Sequence, residues 1–162
     1  LTDHYDPRSK TINLAESVYN SANVSAAAVA AHECGHALQH AFGYAPLRMR
    51  TALVPVVSFA SQWVTWILLG GILMIEVFPQ LLSVGVGLYA LITLFAFITL
   101  PVEMNASARA IAWMEQAGIT DRVTTPMASA ALRSAAYTYV VAALSSLGTL
   151  VYYIMILVGR RD

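Results

Sequence analysis

Three long apolar stretches limit what this chain can fold into more than any other feature. Residues 53–77 carry one charge, Glu76 near the far end, and residues 81–102 and 135–158 carry none. Each stretch is about as long as, or longer than, the roughly 20 residues that a helix needs to cross the hydrocarbon core of a bilayer. Across 162 residues, 58% are hydrophobic and 11% are charged. We therefore predict a mainly α membrane protein with three transmembrane helices.

The first two apolar stretches are predicted to form a hairpin through the bilayer. The segment between them, Phe78-Pro79-Gln80, is a short turn. A hairpin returns the chain to the side that it left. Glu103, the first charged residue after the second stretch, is therefore expected on the same side as residues 1–52.

The basic residues are divided unevenly between the two sides of the predicted spans. Seven lie on the side of residues 1–52 and 103–134, namely Arg8, Lys10, Arg48, Arg50, Arg109, Arg122 and Arg133. Arg160 and Arg161 lie on the other side. The positive-inside rule places the richer side in the cytoplasm of a bacterial cell membrane. The net charge is +0, so the sequence gives no reason to expect a nucleic-acid partner.

An Ala-rich run before the first span contains His32-Glu33-Cys34-Gly35-His36. On a helix, histidines four residues apart lie on one face, one turn apart, which suits two imidazole ligands of one zinc ion. The intervening glutamate can act as general base on a metal-bound water, as in the HExxH pattern of zinc peptidases. Glycine costs about 1 kcal/mol relative to alanine inside a helix, so Gly35 indicates close approach of another backbone or of a substrate.

Two solvated histidines on an amphipathic helix are the alternative interpretation of this motif, and its surroundings argue against it. Of four histidines in the chain, His32, His36 and His40 lie within nine positions. Ser21, Asn23 or Ser25 could cap the start of the helix, and Gly43 lies where the helix would stop.

The first 20 residues read as an extended unit. A turn at Asp6-Pro7-Arg8-Ser9 precedes Lys10 to Leu14, where polar and apolar residues alternate as in a half-exposed strand. We expect a short β-hairpin or an edge strand, which either binds a substrate as an added strand or only stabilises the fold. Asn13, within this strand, is a candidate substrate contact.

Zinc at a catalytic site needs a third protein ligand beside the two imidazoles. The candidates are His40, Glu103, His4, Asp6 and Cys34. His40 is a further turn along the same helix, too far to converge on one ion, so we favour Glu103. A carboxylate that only complements the dipole of a helix start is the alternative for Glu103. Cys34, the single cysteine, excludes an internal disulfide and is expected to be a small apolar filler rather than a ligand.

The predicted organisation is a single integrated domain in four segments. These are the extended segment with the histidine helix (1–52), the transmembrane hairpin (53–102, with spans 53–77 and 81–102), the Glu103 helix with a linker (103–134), and the third span with a tail (135–162). No signal peptide is visible. We expect that the amino terminus is truncated, and the sequence indicates no oligomeric state.

Several segments together resemble the YugP-type bacterial membrane zinc metallopeptidases. The similarity runs in order through Thr2 to Arg8, Glu16 to Ser21, Ala30 to Ala37, Tyr44 to Arg48 and Leu100 to Ser107. More distantly, the chain is similar to gluzincins of the HtpX and CAAX prenyl protease type, in which a glutamate from a later ExxxD helix completes HExxH. The resemblance implies a small zincin-like catalytic part and a peptidase acting on membrane-associated or misfolded proteins.

Carried over by position, the resemblance implies one Zn²⁺ per chain on His32, His36 and Glu103, with Glu33 as base. Where those relatives have the aspartate that orients a ligand histidine, this chain has Ser107. That task would fall to Ser107, Asn105 or another group. Candidates for stabilising the oxyanion are His4, Tyr5, Arg109 and Tyr137, and the sequence does not choose among them.

Two other functions remain open at this point. An intramembrane protease of the site-two kind also uses HExxH, but its motif lies within an apolar span and an aspartate on another span completes the site, and this chain has no aspartate in a span. A membrane scaffold or quality-control adaptor with a structural metal is the other alternative. Such a protein would need no base beside its ligands, so the presence of Glu33 argues against it.

Overall fold

A computed structural model of the chain describes residues 3–159, which are mainly helical. The elements in order are β1 (His4–Asp6), β2 (Thr11–Asn13), α1 (Glu16–Tyr19), α2 (Val24–Ala41), α3 (Ala45–Leu73), α4 (Pro79–Gln116) and α5 (Thr124–Val158). The last three are long and apolar enough to cross a membrane. The predicted fold, a mainly α membrane protein with three such helices and a short hairpin, is confirmed.

The amino-terminal hairpin forms where the turn chemistry predicted it. Strands β1 and β2 pair antiparallel, with Tyr5 opposite Ile12. The carboxylate of Asp6 closes the turn, because it accepts hydrogen bonds from the Arg8 backbone N–H and the Ser9 hydroxyl, both at 2.8 Å. The Ser9 bond, followed by the Arg8 bond, lowers the pKa of Asp6. The single turn α1 was not predicted within this segment.

Helix α2 carries the HExxH motif and begins at one of the three predicted caps. The side chain of Asn23 accepts a hydrogen bond from the Ala26 N–H at 2.8 Å, which satisfies one free donor of the first turn. The helix ends at Ala41, two residues before Gly43.

Helix α4 differs from the prediction, which ended a span at residue 102 and began a separate helix near Pro101. The helix is continuous from Pro79 to Gln116 with Pro101 inside it. At 38 residues it is about 57 Å long, well beyond a bilayer's hydrocarbon core. Proline removes one backbone hydrogen bond, and apolar helices tolerate this where neighbouring groups compensate. Glu103 therefore lies within a long helix and not at its start.

Helix α5 begins earlier than the predicted span at residue 135. It starts at Thr124, just after Asp121, whose carboxylate accepts from the N–H groups of Val123 and Thr124 at 2.9 and 2.8 Å. The bonds from Thr124 are the largest cause of a lowered Asp121 pKa. The prediction had a linker from Thr120 to Met127, with Pro126 opening the next helix. The end of this linker, from Thr124, is helical because a carboxylate caps it and alanines follow.

The chain divides into two compact units. The first, here called the histidine unit, comprises the residues up to Arg48 and Leu100–Thr138. Its core is built mainly from small side chains of α2, α4 and α5: Ala28, Ala31, Ala110, Met114, Ala128 and Leu132. Alanines in facing positions let these helices pack closely.

The second unit, here called the apolar unit, comprises Met49–Thr99 and the described residues from Tyr139 onward. Val64 and Leu68 of α3 and Leu82 and Val86 of α4 form its core. Most of its surface is apolar, as the exposed Phe59, Trp66 and Met155 side chains illustrate. Such a surface is expected where lipid replaces water.

Three predictions involve residues outside the range 3–159 that the structure describes. The four-segment division into 1–52, 53–102, 103–134 and 135–162 stays a prediction. Arg160 and Arg161, which entered the count of basic residues, and Thr2, which entered the resemblance, lie outside the described residues.

Candidate metal centre

Helices α2 and α4 approach each other closely at Gly35. A Cβ atom built on this residue would lie 3.0 Å from the Ala106 carbonyl carbon and closer still to its oxygen. Only glycine allows this backbone contact, which accounts for its place inside the motif. Of the two explanations offered by the sequence, the structure therefore shows the approach of another backbone.

This close approach brings Glu103 to the two motif histidines. The Glu103 Oε2 atom lies 3.1 Å from His32 Nε2 and 3.5 Å from His36 Nε2. One ligand atom from each of the three side chains falls within 4.8 Å of the others. The side chains are 15%, 13% and 4% exposed for His32, His36 and Glu103 respectively. The other predicted candidates, His40, His4, Asp6 and Cys34, are not in this cluster.

The donor set and its spacing fit zinc. Tetrahedral zinc with bonds of about 2.0–2.1 Å separates neighbouring ligand atoms by roughly 3.3 Å. The observed contacts to Glu103, 3.1 and 3.5 Å, lie on either side of that value. Two imidazoles and one carboxylate form a recurrent ligand set of catalytic zinc, which keeps its fourth position open.

Burial and the contacts with Glu103 act on the pKa of His36 in opposite directions, and the net shift is upward. Burial on its own would lower the pKa of this imidazole, but hydrogen bonding and the negative charge of Glu103, with smaller contributions from Gln39 and Glu33, raise the pKa above 6.5. The pocket therefore favours positive charge at the position of the imidazoles. The same preference favours a divalent cation.

Each histidine has a second partner on its other ring nitrogen. His32 Nδ1 lies 3.0 Å from the hydroxyl of Ser107, one of the residues expected to replace the missing aspartate. His36 Nδ1 lies 3.0 Å from the side-chain carbonyl of Gln39. Sequence reasoning did not single out Gln39. Its place three residues after His36, on the same helix face, was the available signal.

The carboxylate of Glu33 is nearly buried and makes no protein hydrogen bond. The residue is 8% exposed. Within residues 3–159 no backbone or side-chain group donates a hydrogen bond to it. Its charge is nevertheless felt nearby, since it contributes to raising the pKa of both His36 and Cys34. A nearly buried carboxylate without a protein donor is suited to accept a proton from a small ligand such as water.

The amino-terminal candidates are divided between the two faces of the hairpin. Tyr5 and Ile12 face α2, since the Tyr5 hydroxyl lies 2.9 Å from His40 Nδ1 and Ile12 lines a cavity with α2 residues. Strand alternation then places the side chains of His4 and Asn13 on the opposite face. His40 is thus a partner of Tyr5 rather than a fourth member of the cluster.

The candidates on α4 and α5 differ in whether they are connected to the motif histidines. Asn105 Oδ1 accepts hydrogen bonds from Gln39 Nε2 at 3.0 Å and Arg109 Nε at 2.8 Å. The Arg109 guanidinium also lies 5.9 Å from the centre of the Phe42 ring. Tyr137 is 59% exposed. The structure thus places Asn105 and Arg109 in a network behind His36.

Cys34 lies away from the imidazoles, as expected of a filler. It lines a cavity of about 440 Å³ with Ile12, Leu38 and Trp113, among others. Burial, followed by the charge of Glu33, raises the pKa of its thiol. Burial and the nearby negative charge therefore both favour the neutral thiol.

Comparison with known proteins agrees with this geometry. A family model described as "Putative neutral zinc metallopeptidase" matches residues 1–158. The chain belongs to this family of neutral zinc metallopeptidases. It is also 42% identical over 162 residues to "Putative membrane protease YugP" of Bacillus subtilis (strain 168), a match that covers 100% of this chain and 71% of that protein. No solved structure matches.

Membership of the neutral zinc metallopeptidases confirms the predicted resemblance. It implies zinc as the metal and protein as the substrate. The three apolar helices imply a lipid bilayer around part of the chain. For a zinc peptidase, the cluster of His32, His36 and Glu103 is the candidate metal centre.

Proposed function

We propose that this metallopeptidase is a membrane-embedded endopeptidase of the HExxH type with a glutamate as third ligand, the gluzincin type. One Zn²⁺ is held by His32 Nε2, His36 Nε2 and a carboxylate oxygen of Glu103, and Glu33 is the general base. The substrates are membrane-associated or misfolded proteins. The observation that carries the proposal is that the three ligand atoms lie within 4.8 Å of one another, although His32 and Glu103 are 71 residues apart in sequence.

The catalytic chemistry is divided between the metal and Glu33. When bound, zinc supplies Lewis-acid chemistry, which polarises the scissile carbonyl and makes water more acidic. Glu33 accepts the proton of the attacking water and delivers it to the leaving amine, because its carboxylate has no protein donor to satisfy it. The two imidazoles and Glu103 stay in place throughout.

The hairpin is the proposed support for an extended substrate. A two-stranded sheet leaves an edge on each strand, and an unfolded segment can add to such an edge through backbone hydrogen bonds. We propose that residues 10–14, including Asn13, hold the substrate in this way. The oxyanion donor is still to be assigned among His4, Tyr5, Arg109 and Tyr137.

We propose that the site faces the cytoplasm of the bacterial cell membrane, on the basis of the excess of basic residues there. In a chain with Cys34 replaced by alanine, single cysteines at the exposed Ser17 and Val77 would report the two sides. A membrane-impermeant maleimide added to intact cells should label Val77→Cys and spare Ser17→Cys. The reverse pattern would invert the proposed orientation.

The decisive test of function is cleavage of an unstructured polypeptide by the zinc-loaded chain in detergent or liposomes. Glu33→Gln should bind zinc as the unmodified chain does and lose at least about 100-fold in turnover, since general acid–base catalysis contributes that much or more. Glu115→Gln, at an exposed glutamate of α4, is the matched control and should cleave normally. Equal cleavage by Glu33→Gln would rule out the assigned base. Full zinc binding with no cleavage by any of the three proteins would instead support the scaffold.

A further inference from the structure

A buried amide links the metal-binding helix to the helix that carries Glu103. Gln39 is 0% exposed and among the largest fully buried side chains. Its Oε1 atom lies 3.0 Å from His36 Nδ1, and its Nε2 donates to the Val102 carbonyl at 2.8 Å and to Asn105 Oδ1 at 3.0 Å. All four residues belong to the histidine unit. A fully satisfied buried polar group of this kind specifies one geometry.

The backbone partner of Gln39 fixes which way round its amide lies. The carbonyl oxygen of Val102 can only accept a hydrogen bond, so the group facing it must be the NH₂ of Gln39. The other end of the amide, which faces His36, is then the carbonyl oxygen. Since that oxygen can only accept, His36 Nδ1 must carry a proton, which leaves Nε2 as the nitrogen that can bind a metal.

The side chain of Arg109 requires the same orientation of the Gln39 amide. Arg109 Nε can only donate, and it lies 2.8 Å from the side chain of Asn105. The group of Asn105 at this position is therefore its carbonyl oxygen. That oxygen also faces Gln39, which must again present its NH₂. Two groups of unambiguous polarity, one backbone carbonyl and one guanidinium nitrogen, thus impose the same direction on the network.

We propose that Gln39 is a positioning residue that keeps a proton on His36 Nδ1 and fixes the orientation of the ring, so that Nε2, beside Glu103, is the nitrogen available to the metal. This inference rests on the proposed function, because it assigns a role toward the zinc of that site. Groups behind metal-bound histidines orient the ring and favour one tautomer. Here a neutral amide performs this task, so no further negative charge is added behind the imidazole.

The other ligand, His32, is held differently. Its Nδ1 faces the hydroxyl of Ser107 at 3.0 Å. A hydroxyl can rotate to donate or to accept, so Ser107 does not impose a tautomer on His32. Of the two histidines, only His36 therefore has a partner that fixes the position of its proton. Loss of Gln39 should accordingly weaken zinc binding more than loss of Ser107.

The test compares zinc affinity, measured by competition with a chelator, across three variants of the full chain in detergent. Gln39→Leu removes every hydrogen bond of the amide and should weaken zinc binding by about 10–100-fold. Gln39→Glu keeps an acceptor for the His36 Nδ1 proton but loses both donated bonds, so it should bind zinc more tightly than Gln39→Leu. Gln116→Leu makes the same change at an exposed glutamine and should bind zinc normally.

Thermal unfolding of the metal-free proteins separates positioning from simple bracing of the two helices. Both Gln39 variants lose the bonds to Val102 and Asn105 and should be destabilised, yet only Gln39→Leu should suffer the full loss of zinc affinity. Equal losses of zinc affinity in both variants would overturn the proposal. Unchanged affinity in Gln39→Leu would also overturn it.

If a variant fails to fold, a measurement on the unmodified chain tests which nitrogen of His36 carries the proton. In a zinc-loaded sample with ¹⁵N-labelled histidine, NMR should show His36 protonated at Nδ1 and bound to zinc through Nε2. The opposite tautomer would overturn the assignment. If the unmodified chain binds no zinc, the proposed function itself fails, whereas zinc binding that ignores Gln39 would contradict only this inference.

Discussion

The two units of this metallopeptidase place their polar groups according to opposite needs. In the histidine unit Glu33, Gln39 and Glu103 are buried, and Gln39 and Glu103 contact side chains distant in sequence. In the apolar unit the buried polar residues are Thr93 and Thr99. Their hydroxyls donate to carbonyls of their own helix, and Thr93 also contacts the hydroxyl of Ser146. Buried charged and amide side chains thus surround the candidate metal centre, whereas the buried polar groups described in the apolar unit are hydroxyls.

The two units nevertheless use the same device for close packing. Gly35 admits the backbone of Ala106, and a Cβ on Gly71 would lie 2.7 Å from the Cα of Leu82. In the histidine unit this approach sets the position of Glu103 against the imidazoles, whereas in the apolar unit it brings together α3 and α4 alone. The same contact therefore has a chemical consequence in one unit and only a packing consequence in the other.

Removal of Glu103 should have the largest effect on zinc binding, which we expect to depend on the histidine unit and not on the apolar unit. Glu103→Ala deletes the only carboxylate in the cluster, and zinc affinity should fall by more than the roughly 100-fold that loss of an outer partner can cost. Chelator competition measures the loss, and Glu115→Ala at an exposed site is the control. Retention of tight zinc binding would place the third ligand elsewhere, as the intramembrane alternative requires.

Replacement of Gly35 and of Gly71 by alanine should affect the two units differently. Alanine is favoured over glycine in a helix by about 1 kcal/mol, but a clash with backbone atoms cannot be relieved by a rotamer change and overpacking costs about 1–3 kcal/mol. Gly35→Ala and Gly71→Ala should therefore both lower thermal stability in detergent. Only Gly35→Ala should weaken zinc binding, and equal weakening by Gly71→Ala would show that the apolar unit also sets the ligand geometry.

A smaller effect is expected at the hydroxyl behind His32. Ser107→Ala removes the partner of His32 Nδ1, and zinc affinity should fall by about 10-fold, the low end for such partners. Ser134→Ala, at an exposed serine of α5, should leave the affinity unchanged. A loss greater than that of Gln39→Leu would reverse the proposed order of the two imidazoles.

The smallest expected effect lies in the apolar unit. The hydroxyls of Thr93 and Ser146 are 2.7 Å apart and join α4 to α5. Thr93→Val should cost about 0.6 kcal/mol, the average for hydrogen bonds between membrane helices, and should not affect zinc binding. Thr138→Val, at an exposed hydroxyl bonded to its own helix, is the control for unfolding measurements. A loss of several kcal/mol would mean that this unit also depends on polar specificity.

Much of the fold follows from patterns that are local in the chain. Residue composition over about 20 positions identifies an apolar span, and the Asn23 cap and the Asp6 turn each depend on neighbours within three residues. Helix boundaries were harder to predict. Pro101 was interpreted as a helix start although α4 passes through it, and Thr120 to Met127 were predicted as a linker although α5 begins at Thr124. Packing of Ala128 and Leu132 into the core favours the helix there.

The sequence by itself predicted the two imidazoles and the base beside them and determined the membrane setting, because a spacing of four residues and a long apolar run have the same meaning in any helix. It also favoured Glu103 through the hairpin and the family resemblance. Only the tertiary structure decided what lies behind each imidazole. Gln39 contacts groups 63 and 66 residues away, and the direction of its amide depends on atoms that come together only when α2 packs on α4 at Gly35.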